Sequence, residues 1–150
     1  MISIREANPG DHALICAWND ALARESEDKQ LDLAALGRGV QRVLDDAALG
    51  RYFVAEIDGE PAGQLMLTRE WSDWRNGMFW WIQSVYVAPA FRGSGVFKAL
   101  YRHVERLAHD DGHVCGLRLY VHDGNQRAMD VYQRLGMVDA EYRVLETPEE

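Results

Sequence analysis

The feature that most constrains the fold is a change of hydrophobic period in the middle of the chain. Phe79 to Val87 is an almost continuous run of aromatic and β-branched residues, which predicts a buried central strand that ends before Pro89. From Ser94 to His109 the apolar residues recur at helical spacing. Arg92-Gly93-Ser94-Gly95 lies between the two patterns. The chain therefore places the end of a buried strand close to the start of an amphipathic helix.

Shorter patterns complete the fold prediction. Polar residues that favour N-caps indicate helices beginning near Asp11, Asp32 and Asn125, in addition to the helix that the apolar spacing predicts from Ser94 to His109. The predicted strands are Ile2–Glu6, Tyr52–Ile57, Gly63–Thr68, Phe79–Val87, Leu117–Val121 and Tyr142–Leu145. Antiparallel hairpins followed by a β-α-β crossover predict an α/β (α+β) fold. We expect a mixed, mostly antiparallel central sheet of six to seven strands, with about four helices on both faces.

Composition limits the classes of protein that remain. The 150 residues suit one domain, residues 1–150, and 47% hydrophobic content suffices for a core without metal or disulfide support. The net charge of −8 argues against a nucleic-acid partner. No signal-peptide pattern and no long apolar run is visible, so we expect a cytoplasmic protein that does not enter the membrane. The two cysteines lack metal-type spacing, and no metal is expected.

The glycine-containing turn before the central helix has the chemistry of an anion site. Gly93 and Gly95 allow the backbone to turn sharply and to approach a ligand closely. The unpaired N–H groups of the first helical turn then point to one place, where the helix dipole adds positive potential. Arg92 and Lys98 can add charge, so the turn suits a pyrophosphate. It is not a dinucleotide-binding fingerprint, because Lys98 stands where the third glycine would be.

A second pattern lies on the last predicted helix. Asn125 and Tyr132 are seven residues apart and share one helix face, about 10 Å from each other. Ala128 lies between them and leaves room for a ligand along that face.

Together the two segments resemble the GNAT superfamily of N-acetyltransferases. The Q/R-x-x-G-x-G/A signature of that family is met by Arg92 to Val96 and departs at its last position, where Phe97 replaces Gly or Ala. The later pattern N-x-x-A-x-x-x-Y-x-x-x-G is met by Asn125, Ala128, Tyr132 and Gly136. The order of elements matches over nearly the whole chain.

The resemblance implies a co-substrate and a set of site residues. Acetyl-CoA would lie between the fourth strand and Leu117–Val121, with no metal involved. The residues implied to bind it are Val85, Tyr86, Val87, Arg92, Gly93, Ser94, Gly95, Val96, Phe97, Lys98, Asn125 and Ala128. We expect the Phe97 ring to turn toward the core while its N–H serves the phosphate. Tyr132 would act as general acid toward the leaving thiol.

The activity implied is acetyl transfer to a primary amine, of a small molecule or of a peptide or protein, by direct attack. The general base stays open, because Gln83 and Ser84 stand where many relatives carry a carboxylate. The candidate bases are Glu25, Glu70, Asp73 and His122. Without a base the enzyme would prefer amines of low pKa. The missing carboxylate also supports an alternative, a non-catalytic acyl-CoA sensor.

The acceptor site is expected, by analogy with the family, in two segments, Arg24–Gln30 and Trp71–Arg75. Trp71, Trp74, Trp80 and Trp81 could form an aromatic wall for a cation, or could serve packing alone. The sequence leaves open the acyl chain length, the identity of the amine and whether the chain forms a homodimer.

Overall fold

The sheet is built mainly from consecutive antiparallel hairpins. A computed structural model describes residues 1–149, and within them the sheet has five strands paired in chain order. They are β1 (Ile2–Glu6), β2 (Arg51–Ile57), β3 (Glu60–Ser72), β4 (Gly77–Val87) and β5 (Val114–Leu119). The first four pair antiparallel, whereas β5 runs parallel to β4. The mixed, mostly antiparallel sheet is therefore confirmed.

The two hairpin turns follow from local turn chemistry. Asp58 and Gly59 have φ angles of 51° and 84°, the left-handed pair that matches the twist of a two-residue hairpin. At the tip of the longer β3–β4 hairpin, Asn76 has a φ of 48°. Asparagine tolerates this conformation better than most residues, and both turns fall at dipeptides, Asp58-Gly59 and Asn76-Gly77, that predict a turn from sequence.

The described residues form four α-helices, in agreement with the prediction. They are α1 (His12–Glu27), α2 (Leu33–Asp45), α3 (Val96–Asp111) and α4 (Gln126–Arg134). Asp32 and Asn125 cap α2 and α4 as expected, because their side chains accept hydrogen bonds from N–H groups of the first turn. Asp11 stands at the N-cap position of α1 as expected, but its side chain makes no capping hydrogen bond to the helix. Its carboxylate accepts instead from Arg5 and from the N–H of Asn8.

The chain divides into two compact units, Met1–Tyr120 and the residues from Val121 onward. The first holds the sheet with α1, α2 and α3, and the second holds α4. In the first unit, Tyr52 packs with Ile15 of α1 and Val40 of α2. The next residue along β2, Phe53, meets His103 of α3. Since successive strand residues point to opposite faces, α1 and α2 cover one face of the sheet and α3 covers the other.

The predicted number of six to seven strands is wrong for the described residues. Tyr142–Leu145 alternates like a strand but is not one in the structure, and its Tyr142, Val144 and Leu145 are 73%, 68% and 89% exposed. A strand requires a hydrogen-bonded neighbour, which an alternating pattern cannot supply by itself. The strand predicted at Leu117–Val121 begins earlier, at Val114, and ends at Leu119, where its pairing with β4 stops.

Candidate active site

An unpaired edge of β4 lies at the centre of the candidate site. Pairing between β4 and β5 ends at Ile82 and Leu119, whereas β4 continues to Val87 with β3 alone beside it. The N–H of Ala88 donates to Ala62 on the β3 side. Backbone groups alternate between the two edges of a strand, so Val87 faces the unpaired edge. By the same alternation Val85 faces this edge and Tyr86 faces β3. This edge offers backbone donors and acceptors to an extended ligand.

The strand bulges where the edge begins. The register between β3 and β4 shifts between Gln64 and Met66, opposite Ser84. Ser84 has a φ of 52°, a left-handed conformation that is uncommon for a residue with a side chain. The bulge turns the Ser84 carbonyl toward the side chain of buried Gln64, whose Nε2 donates to it at 3.0 Å. No local signal in the sequence predicts this feature.

The glycine-containing turn has the conformation expected of an anion cradle. Gly93 and Gly95 have φ angles of 81° and 82°, and an added Cβ at either would meet no atom within 4 Å. Gly95 is the N-cap of α3, and the first helical hydrogen bond runs from Ala99 to its carbonyl. The N–H groups of residues 96–98 therefore precede the hydrogen-bonded ladder of the helix.

The side chains around this turn differ in burial. Val96 is buried at 2% exposure, whereas Ser94 and Lys98 are exposed. The ring of Phe97 is half-buried and lies 6.2 Å from the ring of Tyr101, which is itself buried. The departure from the family signature is therefore accommodated by packing along the helix.

Arg92 joins the turn to α1. Its Nη2 donates to Glu25 at 2.7 Å, and its Nε donates to the carbonyl of Val87 at 3.0 Å. The guanidinium also lies over the Tyr86 ring. Tyr86 in turn donates its hydroxyl to Glu25 at 2.6 Å. Arg92, predicted only as a phosphate contact, thus also fixes the end of β4 against α1.

A cavity of about 430 Å³ opens between α1, α2 and the face of the sheet that these two helices cover. It is large enough for a small ligand. Ser84 of the bulge lines it, so the cavity and the unpaired edge of β4 share a residue. Glu27 and Lys29, from the Arg24–Gln30 segment of the predicted acceptor site, line it as well. None of the residues Trp71–Arg75 contributes to it.

Neutral polar groups hold the bulge in place beside this cavity. Asn19 donates to the Tyr52 hydroxyl at 3.3 Å, and Gln64 lies 3.5 Å from the Asn19 oxygen. Burial raises the pKa of Tyr52, so the hydroxyl stays protonated at neutral pH. In the described chain the buried Oε1 of Gln64 has no hydrogen-bond partner. This network fixes the bulge without placing a charge there.

The α4 unit holds the second predicted group of residues. The Asn125 side chain accepts from the N–H of Ala128 at 3.1 Å, which commits its oxygen to the helix cap. Tyr132 follows seven residues later on the same helix. Burial raises the pKa of Tyr132, so its phenol is protonated at neutral pH and can donate a hydrogen bond.

The sequence matches the acetyltransferase (GNAT) family over residues 11–137, which includes both the glycine turn and α4. The protein belongs to this family. A bovine thialysine Nε-acetyltransferase is 32% identical over 149 residues, covering 92% of this chain and 85% of the relative. A porcine thialysine Nε-acetyltransferase is also 32% identical, with the same coverage of both chains. The protein is thus an N-acetyltransferase.

Solved structures agree with this assignment. A possible acetyltransferase from Clostridium difficile 630 superposes with a TM-score of 0.93 at 39% identity, covering 100% of this chain and 99% of that one. An acetyltransferase from Clostridium acetobutylicum, solved with acetyl-CoA, superposes with a TM-score of 0.78 over 97% of this chain and 96% of its own. At 18% identity this second likeness shows the fold alone. Acetyl-CoA is the acetyl donor that the GNAT fold uses.

Two of the four candidate bases of this acetyltransferase are engaged by cations. Glu25 binds Arg92, and hydrogen bonds from Tyr86 and Arg92 lower the pKa of its carboxyl. Glu70 accepts from the Trp81 indole at 2.9 Å and from Arg118 at 3.2 Å. The lowered pKa makes the Glu25 carboxylate a weak proton acceptor.

The other two candidate bases are bound within local turns. Asp73 accepts from the N–H of Trp74 at the hairpin tip, and His122 Nδ1 accepts from Gly124. Gln83, which stands where the family resemblance led us to expect a carboxylate, donates to Thr68 at 2.6 Å. Among the residues that line the cavity, Glu27 is the one carboxylate, and the sequence analysis did not name it as a candidate base.

The four tryptophans do not form one wall. Trp80 is buried at 7% exposure, while Trp71 and Trp74 are 57% and 87% exposed near the hairpin tip. Trp81 follows Trp80 on β4 and faces the other side of the sheet, where its ring lies 4.7 Å from the Tyr120 ring at a tilt of 39°. Packing explains Trp80 and Trp81.

Within residues 1–149 there is no group of three or more His, Cys, Asp or Glu side chains that could hold a metal ion. Over the same residues no helix is both long and apolar enough to cross a bilayer.

Proposed function

We propose that this acetyltransferase transfers the acetyl group of acetyl-CoA to the terminal primary amine of a small, lysine-like molecule by direct attack. The observation that carries the proposal is the juxtaposition at Ser84, where the unpaired edge of β4 meets a cavity of small-molecule size. A donor laid along the edge and an acceptor in the cavity would meet there. The family match crosses from one compact unit into the other, which supports one functional domain over residues 1–150.

The residues present fit acetyl-CoA. Val85 and Val87 offer outward backbone groups that an extended pantetheine can pair with, as an added strand would. The open space at Gly93 and Gly95 leaves room for phosphate oxygens, which the N–H groups of Ser94 to Lys98 can bind. The exposed Lys98 adds a positive charge. Asn125 and Ala128 would line the pantetheine from α4.

The acceptor is proposed from the relatives together with the chemistry of the cavity. The bovine and porcine relatives are thialysine Nε-acetyltransferases. An alkyl amine with the pKa of lysine is neutral only about once in 2,500 molecules at pH 7. The sulfur of thialysine withdraws electrons from the nearby amine and lowers its pKa. An enzyme with Gln83 in place of a base gains from such an acceptor, because more of the amine is already neutral.

Transfer forms the amide N–C bond and breaks the thioester C–S bond. The amine proton passes to solvent or to a carboxylate, and the leaving thiolate takes a proton or a hydrogen bond. We assign that last role to Tyr132, whose raised pKa keeps it protonated. Complete proton transfer from a phenol to a thiolate is uphill by about 2 kcal/mol from the reference pKa values, and by more when the phenol pKa is raised. Tyr132 is therefore better suited to donate a hydrogen bond.

The test is thiol release from acetyl-CoA, measured across pH 6–9. The acceptors are thialysine, lysine and a diamine that lacks the α-carboxylate. We expect thiol release with both amino acids. The rate with thialysine should exceed the rate with lysine at neutral pH, and the two rates should converge as pH rises. A protein that binds acetyl-CoA and releases no thiol with any amine would instead be an acyl-CoA sensor.

A further inference from the structure

Two opposite charges line the cavity from the segment that joins α1 to α2. They belong to Glu27 and Lys29, which are exposed and, in the described chain, take part in no ion pair. Asp28 lies between them with a φ of 49° and ends α1 in the left-handed conformation. The N–H of Lys29 then donates to the carbonyl of Ala23 at 3.0 Å. The backbone between the two charges is therefore held by the end of the helix.

The rest of the cavity is uncharged. Its apolar lining comes from Leu22, Leu31, Leu36, Val40, Val43 and Met66. Its polar lining on the sheet side is the neutral group of Asn19, Tyr52 and Ser84. The cavity thus combines a pair of opposite charges, an apolar wall and a neutral polar patch at the β4 bulge.

This arrangement complements one class of ligand. We propose that the cavity recognises the head group of a free α-amino acid, with Glu27 accepting from the α-ammonium and Lys29 donating to the α-carboxylate. The inference rests on the proposed function, because the terminal amine of the same molecule would then point toward Ser84. A polyamine would bring a second cation close to Lys29, and the repulsion would disfavour it. An apolar wall that includes Met66 suits a methylene or thioether stem.

The experiment measures equilibrium binding to the CoA-bound protein by titration calorimetry, so that no acetyl group is transferred. Thialysine is compared with bis(2-aminoethyl) sulfide, which lacks the carboxylate, and with Nα-acetylthialysine, which lacks the α-ammonium. Lys29→Gln is expected to lower the ratio of the diamine dissociation constant to the thialysine dissociation constant by about two- to fivefold, within the range for a charge contact at a solvated rim. Glu27→Gln is expected to lower the ratio of the Nα-acetylthialysine dissociation constant to the thialysine dissociation constant by a similar factor.

Two matched variants control for the loss of charge alone. Arg106→Gln removes a positive charge from an exposed position on α3, which covers the opposite face of the sheet. Glu60→Gln removes a negative charge from the exposed start of β3. Neither residue lines the cavity, so both are expected to keep the wild-type binding ratios.

The outcomes separate this inference from the proposed function. Binding ratios that Lys29→Gln and Glu27→Gln leave unchanged, or no measurable binding of thialysine, would overturn the head-group assignment. So would a Glu27→Gln variant with unchanged dissociation constants and a reduced kcat, because that pattern belongs to a general base. Wild-type turnover is measured in parallel. If the wild type acetylates amines but the two variants leave the ratios of dissociation constants unchanged, only the head-group inference fails. If the variants change these ratios but the wild type shows no turnover, the transfer proposal fails.

Discussion

The guanidinium of Arg92 and the carboxylate of Glu25 lie 2.7 Å apart, although 67 residues separate them in sequence. The pair connects the turn that would hold the phosphates of CoA with the helix that lines the acceptor cavity. Arg92 also binds the carbonyl of Val87, which faces the unpaired edge of β4. The two halves of the proposed site are therefore mechanically joined before any ligand binds.

This pair predicts a pH-dependent contribution to stability. The pKa of Glu25 is lowered from 4.5, so as pH falls the unfolded chain takes up the proton first. The contribution is fully present above about pH 4.5 and is lost as pH falls through the lower folded pKa. Because both side chains are 44% exposed, the effect stays below about 1 kcal/mol. Chemical denaturation should show wild type more stable than Glu25→Gln at pH 7, with the difference vanishing in acid. A constant difference across pH would contradict this account.

The buried amide of Gln64 predicts that its replacement lowers the free energy of unfolding. Gln64→Leu keeps a similar volume but leaves the Ser84 carbonyl without its 3.0 Å donor. A buried acceptor left unpaired costs about 1–3 kcal/mol, and removal of the unpaired Oε1 offsets part of that. We expect a net loss of about 1 kcal/mol in the free energy of unfolding, with an unchanged denaturant slope. A variant more stable than wild type would show that the amide does not hold the bulge.

If the glycine turn binds the phosphates of acetyl-CoA, a carboxylate side chain introduced into the turn should weaken acetyl-CoA binding. At about one hundred times its dissociation constant, acetyl-CoA adds about 2.7 kcal/mol of stability, or roughly 5–10 °C in Tm. Gly95→Glu should abolish this rise by placing negative charge in the cradle. Gly112→Glu is the matched control, because Gly112 caps the other end of α3 with a φ of 77° and equal open space. If both variants keep the rise, the phosphates bind elsewhere.

The role proposed for Tyr132 predicts that its replacement lowers kcat and leaves KM for acetyl-CoA nearly unchanged. Tyr132→Phe removes one hydroxyl and keeps the ring, so folding and acetyl-CoA binding should change little. A hydrogen bond made to the leaving thiolate is worth about 5–150-fold in rate. We expect kcat in the thiol-release assay to fall by a factor in this range while KM for acetyl-CoA stays nearly constant, as for an interaction made mainly in the transition state. Equal turnover by the two proteins would make Tyr132 a packing residue.

The sequence predicted the parts of the fold that local chemistry determines. The Asp58-Gly59 turn and the Asp32 and Asn125 caps depend on neighbouring residues and lie where expected. Asp11 shows the limit of such signals, because a partner outside the helix, Arg5, takes the carboxylate that was expected to cap α1.

The rest depends on contacts between distant segments. Ser84 adopts a left-handed conformation that serine does not favour, and the side chain of Gln64 binds the carbonyl that results. Similarly, Glu27 and Lys29 look like ordinary solvated charges until the fold places them on a cavity wall. The motifs therefore identified the family and the turn that we propose binds phosphate, whereas the proposed acceptor cavity required the structure.

The most direct test of the account is the product formed from thialysine and acetyl-CoA. NMR of the purified product shows which nitrogen carries the acetyl group, and a thiol assay counts the CoA released. We predict acetylation of the terminal amine, with one CoA released for each acetyl transferred. Acetylation of the α-amine, or thiol release without any acetylated amine, would contradict the proposed arrangement of cavity and β4 edge.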